Sequence, residues 1–287
     1  MEKKTILITG ASSGIGKETA MTLAKQGHQL IIHGRDPEKT KAVFDEIVKT
    51  TGNQDIEMLT ADLSLMAEVK AFADKIIAKH DHLDVLINNA GGQFGETRLV
   101  TSEGHERTFA INTLAPFLLT KLLLPLLEKS ASARVVTVSS ASYQQGGDVP
   151  WDDIELEHHY SLTKSYGLSK RYVWWLMRQF AVELEKRGVK NVTVNTCEPG
   201  SAKTDLARES IKETWFKVLT ILWQPMMWSV EKAAATSIYL ATSPEVEGKT
   251  GGFYGKCKPK SIKEKWMSEE GQRKIWEYCE RATAEWA

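Results

Sequence analysis

Cysteine is scarce in this chain, with three in 287 residues: Cys197, Cys257 and Cys279. They lie far apart and lack metal-ligand spacing, so they read as free thiols in a reducing compartment, with no disulfide framework and no bound metal. An excess of either charge sign is also missing, since 37 basic side chains balance 37 acidic ones. Without a long basic stripe, nucleic acid is not an expected partner. No internal repeat, low-complexity segment or Pro/Gly/Ser-rich linker interrupts the sequence, so a single domain over residues 1–287 is expected. The first residues, Met1-Glu-Lys-Lys-Thr5, run straight into Ile6-Leu-Ile8 and carry neither a signal peptide nor an anchor pattern. The apolar stretch from Trp215 to Trp228 is broken by Lys217, Gln224 and Pro225 and is too short to span a bilayer. These absences predict a cytoplasmic protein. Peripheral membrane contact and homo-oligomer formation stay open.

What is present is alternation. Hydrophobic residues make up 42% of the chain, enough for a substantial core. Nearly continuous apolar runs predict strands at 5–9, 29–33, 55–60, 84–87, 134–138, 191–196 and 252–254, as in a sheet covered on both faces. Helical periodicity fills 15–26, 38–50, 65–79, 102–128, 162–188 and 230–241, and a C-terminal extension at 261–287 carries an amphipathic stretch over 268–284. The fold class this predicts is α/β, a Rossmann-type doubly wound parallel sheet of about seven strands with helices on both faces. Pro116 and Pro125 fall within the 102–128 pattern and predict a kink or a shorter helix there.

Thr9-Gly10-Ala-Ser12-Ser13-Gly14-Ile15-Gly16 links the first strand to the first helix. Glycines there let the backbone turn and approach a pyrophosphate, and the helix N-terminus offers free N–H groups and a positive dipole end. The second strand ends in His33-Gly34-Arg35-Asp36. Arg35 could pair with the 2′-phosphate of NADP, which is favoured over NAD; alternatively Arg35 is a solvated turn residue and Asp36 a helix cap. A one-residue shift of the strand end would instead give Asp36 the ribose of NAD.

Tyr166 and Lys170 stand four apart in a helical segment and so project from one face. An ammonium beside a phenol favours the phenolate and is expected to draw the tyrosine pKa down toward neutrality, where proton transfer works best. Such a spacing also arises by chance, so its weight depends on its neighbours.

Those neighbours resemble the short-chain dehydrogenase/reductases. The motifs are Thr9-Gly-x-x-x-Gly-x-Gly16, Asp62-Leu63, Asn88-Asn89-Ala90-Gly91, Asn112, Ser140, Tyr166-x-x-x-Lys170 and Pro199-Gly200, spread over residues 5 to about 205. The retinol-dehydrogenase-like branch looks most similar, through Gly14-Ile-Gly-Lys-Glu-Thr-Ala20, residues 118–127 and residues 237–243. The resemblance implies hydride transfer between a nicotinamide and a carbonyl or alcohol carbon. Tyr166 would be the acid/base, Lys170 would lower its pKa and bind the nicotinamide ribose, and Ser140 would hydrogen-bond the substrate oxygen. Asn112 would anchor a water relay to Lys170. Asp62, Leu63, Asn89, Ala90 and Gly91 would border the adenosine, and Pro199, Gly200 and Thr204 the carboxamide and phosphates. Structural alternatives stand beside these: Ser139 or Ser140 capping a strand, Asn112 capping or kinking a helix, Asp62 capping the next helix, and Asn88 or Asn89 tying strands together. Two departures from the branch weigh against a retinoid: the missing N-terminal anchor, and Glu198 before Pro199-Gly200 where histidine is expected.

Between Ser140 and Tyr166 lies an insertion containing Trp151 and His158-His159, expected to be functional or mobile, with the histidines solvated. Residues 205–228 are rich in Trp, Met, Phe and Leu and are expected to cover the active site, which favours a bulky lipophilic substrate. Trp174-Trp175 predicts core or subunit packing. The leading reading is an NADP-dependent alcohol dehydrogenase or carbonyl reductase. The alternative from another class is a catalytically silent NADP-binding sensor or scaffold.

Overall fold

In the computed structural model, residues 2–200 and 229–287 are described. Among the described residues, eight strands form one sheet in the order β3-β2-β1-β4-β5-β6-β7-β8. β1 (Thr5–Ile8), β2 (Gln29–Gly34), β3 (Ile56–Thr60), β4 (Val85–Asn88), β5 (Ala133–Val138), β6 (Val192–Glu198) and β7 (Phe253–Gly255) are parallel. The eighth, β8 (Lys258–Pro259), runs antiparallel to β7 and exceeds the seven expected. Two residues, one of them proline, carry no periodicity, and a proline and a lysine suit an edge strand that must not recruit another chain.

Period-two alternation sends the strand side chains into two cores. Leu7, Leu86, Val135 and Val194 face one, with α3 (Met66–Lys79), α4 (Arg107–Glu128) and α5 (Leu162–Lys186). Ile8, Val85, Ile87 and Val136 face the other, with α1 (Gly14–Lys25), α2 (Pro37–Thr51) and α6 (Val230–Thr242). Both faces are therefore buried, which is why the strands read as continuous apolar runs. The order reverses between β1 and β4, and in such sheets ligands bind at the carboxyl ends beside this switch point.

α4 starts at Arg107, later than the 102 expected, because Glu106 caps it by accepting from Thr108 N at 2.9 Å and Phe109 N at 2.8 Å. Its second turn, Ala110–Leu114, is a π-turn in which Ala115 N–H reaches back to Ala110 O. Pro116 follows immediately, and the expected irregularity takes this form rather than a break. The helix is long and apolar enough to cross a membrane by length and composition, yet 72% of that stretch is buried inside the fold. Its apolarity serves the core.

The C-terminal helix α7 (Glu269–Ala282) lies on α4 and α5. Trp276 fits edge-on between Phe117 and Phe180, with centroids at 5.1 and 4.6 Å, and Glu280 pairs with Lys121 at 2.8 Å. Trp174 and Trp175 are core residues, the latter donating from Nε1 to Trp266 O at 3.0 Å.

Candidate active site

The glycine-rich turn is shaped by close backbone approach. A Cβ at Gly16 would stand 2.2 Å from Gly10 O and 2.4 Å from Asn89 Nδ2. Only glycine lets α1 start this near the β4 end. Asn89 fastens the contact, donating through Nδ2 to Thr9 O at 2.9 Å and Gly10 O at 3.2 Å. Asn88 instead donates to Thr120 Oγ1 and Thr137 Oγ1, tying β4 to α4 and β5. Ser13 is the N-cap of α1 but makes no side-chain bond to it. Ser12 and Ile15 are half-buried beside it. The first-turn N–H groups of α1 thus lack a side-chain cap, and the cradle fits a pyrophosphate.

His33 is a part of this turn that sequence reasoning passed over. Its Nδ1 accepts from Gly10 N at 3.2 Å and its Nε2 lies 3.1 Å from Ala61 O. Since Nε2 must donate to a carbonyl, the ring is the neutral Nε2–H tautomer. Burial holds its pKa down at about 4. No local pattern marks it, because both partners come from neighbouring strand ends.

β2 runs one residue past the expected His33 to Gly34, and a Cβ at 34 would meet Thr40 Oγ1 at 2.1 Å. Asp36 caps α2, accepting from Lys39 N at 3.1 Å. The capping alternative for Asp36 thus has its geometry. Arg35 is exposed at the carboxyl end of β2. Asp62 Oδ1 accepts from Ser64 N at 2.9 Å and Ser64 Oγ at 2.7 Å, and Leu63 is buried beneath it. The N-terminus of α3 is capped from a distance by Glu103, which accepts from Met66 N at 2.6 Å and Ala67 N at 2.9 Å.

The two serines after β5 divide their tasks. Ser139 Oγ donates to Lys170 O at 2.8 Å and is fully engaged with α5. Ser140 Oγ accepts from Ser142 N at 3.2 Å and donates to Ser142 Oγ at 3.2 Å, and its side chain favours ionisation of the Tyr166 hydroxyl. Lys170 Nζ stands 5.7 Å from the Tyr166 ring centroid and donates to Val138 O at 3.2 Å. Gly91 borders Asn112 and Lys170: a Cβ there would come 2.7 Å from Asn112 Oδ1 and 3.2 Å from Lys170 Nζ.

The expected tuning of the phenol by Lys170 is not what this geometry gives. Burial pushes the Tyr166 pKa up to about 12, and the Ser140 side chain only partly offsets it. Lys170 is likewise driven down to about 8 by burial, against a small upward pull from Cys197. Both groups are withdrawn from water, and desolvation disfavours the charged form of each. An i,i+4 spacing carries no information about burial.

Asn112 lies in the π-turn, its side chain committed to the Gly92 backbone and the Ser169 hydroxyl. Oδ1 accepts from Gly92 N at 3.0 Å, and Nδ2 donates to Gly92 O at 2.9 Å and Ser169 Oγ at 3.1 Å. It clamps the loop carrying Ala90 and Gly91 against α5. A water relay at this point would have to use its backbone, not its amide.

The insertion is packed in place. Gly146 backbone lies on Gly167, Trp151 stacks on Trp175 at 6.4 Å, and Glu155 is buried. His158 and His159 are exposed, as expected, and the described residues contain no metal-ligating cluster. β6 extends two residues beyond the expected 196, so Glu198 is a strand residue; it accepts from Lys260 Nζ at 2.6 Å. Pro199 and Gly200 follow directly at the carboxyl end. Thr204 and the segment 205–228 lie outside the described residues.

The short chain dehydrogenase family model matches residues 4–215. Human retinol dehydrogenase 14 is 37% identical over 98% of this chain and 86% of its own length. DnrU of Streptomyces sp. (strain C5), to which a daunorubicin C-13 ketoreductase activity is ascribed, is 35% identical over 88% of this chain and 82% of its own. Among solved structures, an Escherichia coli CFT073 protein ascribed to the short chain dehydrogenases and complexed with NADPH superposes with a TM-score of 0.68. It is 27% identical and covers 89% of this chain and 97% of its own. The chain belongs to the short-chain dehydrogenase family, in its retinol-dehydrogenase-like branch, and is a nicotinamide-dependent oxidoreductase.

Proposed function

We propose that this enzyme uses NADP and interconverts a bulky lipophilic carbonyl compound and its alcohol, with residues 1–287 acting as one dinucleotide-binding domain. The observation that carries the reading is the buried Tyr166 ring with Lys170 Nζ 5.7 Å from its centroid, behind a turn that only glycine can make. The cofactor would supply the hydride, and every proton is handled by the chain. Gly10, Ser12, Ser13, Gly14, Ile15 and Gly16 would hold the pyrophosphate; Asn89, Ala90 and Gly91 would border the adenosine ribose, and Pro199 and Gly200 the carboxamide.

In reduction, Ser140 holds the substrate oxygen and Tyr166 gives it a proton; in oxidation, Tyr166 takes that proton back. A phenol kept neutral by burial suits the donor role. Lys170, poised near neutrality, can return the proton to Tyr166 or stabilise the phenolate as it forms. Asn112 positions the 90–92 loop on which this arrangement leans.

NADP is favoured by Arg35, which stands past Gly34 with no acidic residue in the ribose position, while Asp36 is engaged as a helix cap. The structural relative in complex with NADPH agrees with this preference. Arg35→Ala is expected to raise the KM for NADPH by about tenfold or more and that for NADH by less than about twofold. Equal effects on both would remove the 2′-phosphate role. A lipophilic substrate is supported by the composition of residues 205–228 and by the names of the two relatives, a retinol dehydrogenase and a daunorubicin C-13 ketoreductase. A panel of carbonyls and alcohols, followed at the NADPH absorbance with both cofactors, tests the reading. Long aliphatic, polycyclic or retinoid-like compounds are expected to exceed small polar ketones in kcat/KM. Equal rates across the panel would discard the lipophilic preference, and NADPH binding without any turnover would favour the silent-sensor alternative.

A further inference from the structure

Tyr166 and Lys170 each follow a serine, and both serines turn toward α4. Positions 165 and 169 share one helix face, a step round from the face of 166 and 170. Ser169 Oγ accepts from Asn112 Nδ2 at 3.1 Å, and its carbonyl accepts from Thr113 Oγ1 at 3.2 Å. One turn earlier, Ser165 Oγ donates to Glu106 Oε2 at 3.2 Å. The two helices bearing the candidate catalytic groups are therefore laced at two levels, and one lace depends on a carboxylate only 2% exposed.

Glu106 is held by donors alone. Its oxygens take the N–H groups of Thr108 and Phe109 together with the Ser165 hydroxyl, a set that suits an acceptor-only carboxylate. Its own backbone N–H donates to Glu155 Oε2 at 2.7 Å. Glu155, from the insertion, receives the Tyr278 hydroxyl at 2.7 Å and the His105 ring at 2.9 Å on its other oxygen. Tyr278 belongs to α7. A continuous run of hydrogen bonds thus joins the C-terminal helix to the residue preceding Tyr166.

The place where this run ends matters. Ser165 lies in the first turn of α5, just after the N–H groups that lack intrahelical partners and where helix ends fray. Ser161 caps that turn, its Oγ accepting from Lys164 N at 3.3 Å and its carbonyl from Ser165 N at 2.9 Å. Loosening it would let the Tyr166 hydroxyl drift from Ser140, and an error of about 1 Å in a reacting group can cost on the order of 10²-fold in rate.

We propose that Glu106, braced by Glu155 and through it by Tyr278, is a positioning residue that fixes the Tyr166 hydroxyl against Ser140. The inference rests on Tyr166 being the acid/base group proposed above. The insertion and the C-terminal helix then bear on the reaction, although neither supplies a reacting atom.

Replacing Glu106 itself would strand three buried donors and threaten folding, so the test removes single hydroxyls at the two ends of the run. With NADPH and the best carbonyl of the panel, Ser165→Ala is expected to lower kcat about tenfold and Tyr278→Phe about fivefold. KM for NADPH should stay within about twofold, and Ser165→Thr, which restores the hydroxyl, should recover most of kcat. Amide hydrogen exchange over residues 161–170, read without substrate, should accelerate in both variants. Unchanged kcat in both variants together with unchanged exchange overturns the proposal, as does a KM change without a kcat change. If the wild-type enzyme reduces no carbonyl, the Tyr166 reading fails, and exchange alone decides the brace: acceleration supports it and unchanged protection overturns it.

Discussion

Tyr166→Phe is expected to lower kcat by about 10³-fold while leaving the Kd for NADPH within about twofold. The substitution removes one oxygen and keeps the ring. Tyr166 is buried, with burial already opposing its ionisation, so a phenyl group is at home there. What is lost is the phenolic hydroxyl, and with it the proton assigned to the substrate oxygen. The stability cost should be about 1 kcal/mol, the net worth of one hydrogen bond. Single-turnover kinetics and a fluorescence titration with NADPH separate the two effects. Turnover within about tenfold of wild type would reject Tyr166 as the acid/base.

Lys170→Met should abolish turnover to a similar degree and yet stabilise the fold. The ammonium is buried and donates to Val138 O, and its pKa is depressed from 10.5 to about 8. The sign follows from linkage. Below pH 8 both folded and unfolded chains carry the charge, and the folded chain bears the full desolvation penalty. Between about 8 and 10.5 the folded chain sheds its proton first, so stability rises with pH; above 10.5 the penalty is gone. Methionine fills similar volume without a charge and should raise stability at pH 7 by on the order of 1–3 kcal/mol, a gain that vanishes toward pH 10.5. Thermal midpoints of both proteins without cofactor, from pH 7 to 10.5, check this. A lower midpoint for the variant at pH 7 would contradict the buried-ammonium account. Both outcomes together would show that activity is kept here at the expense of stability.

Much of the fold was legible because its physics is local. β1, β2 and β4–β6 are buried on both faces, and the chain writes that as apolar runs with helical periodicity between them. The turn at residues 9–16 was legible because glycines at fixed spacing between strand and helix have few other uses. β8 was not, being two residues long, and the start of α4 was misplaced because its cap is a glutamate that resembles any other in sequence. Glu103, Glu106 and Glu155 serve N–H groups on other segments or at helix starts that no motif announces. His33 was passed over for the same reason, and the insertion gave no sign of being packed.

The sequence by itself determined the class of protein: a parallel doubly wound sheet, a pyrophosphate cradle, and Ser140, Tyr166 and Lys170 in order. These follow from side-chain size, glycine geometry and helical spacing, all of which act over a few residues. Tertiary structure alone decided that the pair is buried. Spacing predicted a phenol drawn down by its lysine, whereas enclosure pushes Tyr166 up to about 12 and Lys170 down to about 8. Desolvation depends on everything that excludes water from a site, and those groups come from β5, α4 and α5 at once. The same holds for the brace from Tyr278 to Ser165, whose four side chains span residues 106 to 278 and meet only when the chain has folded.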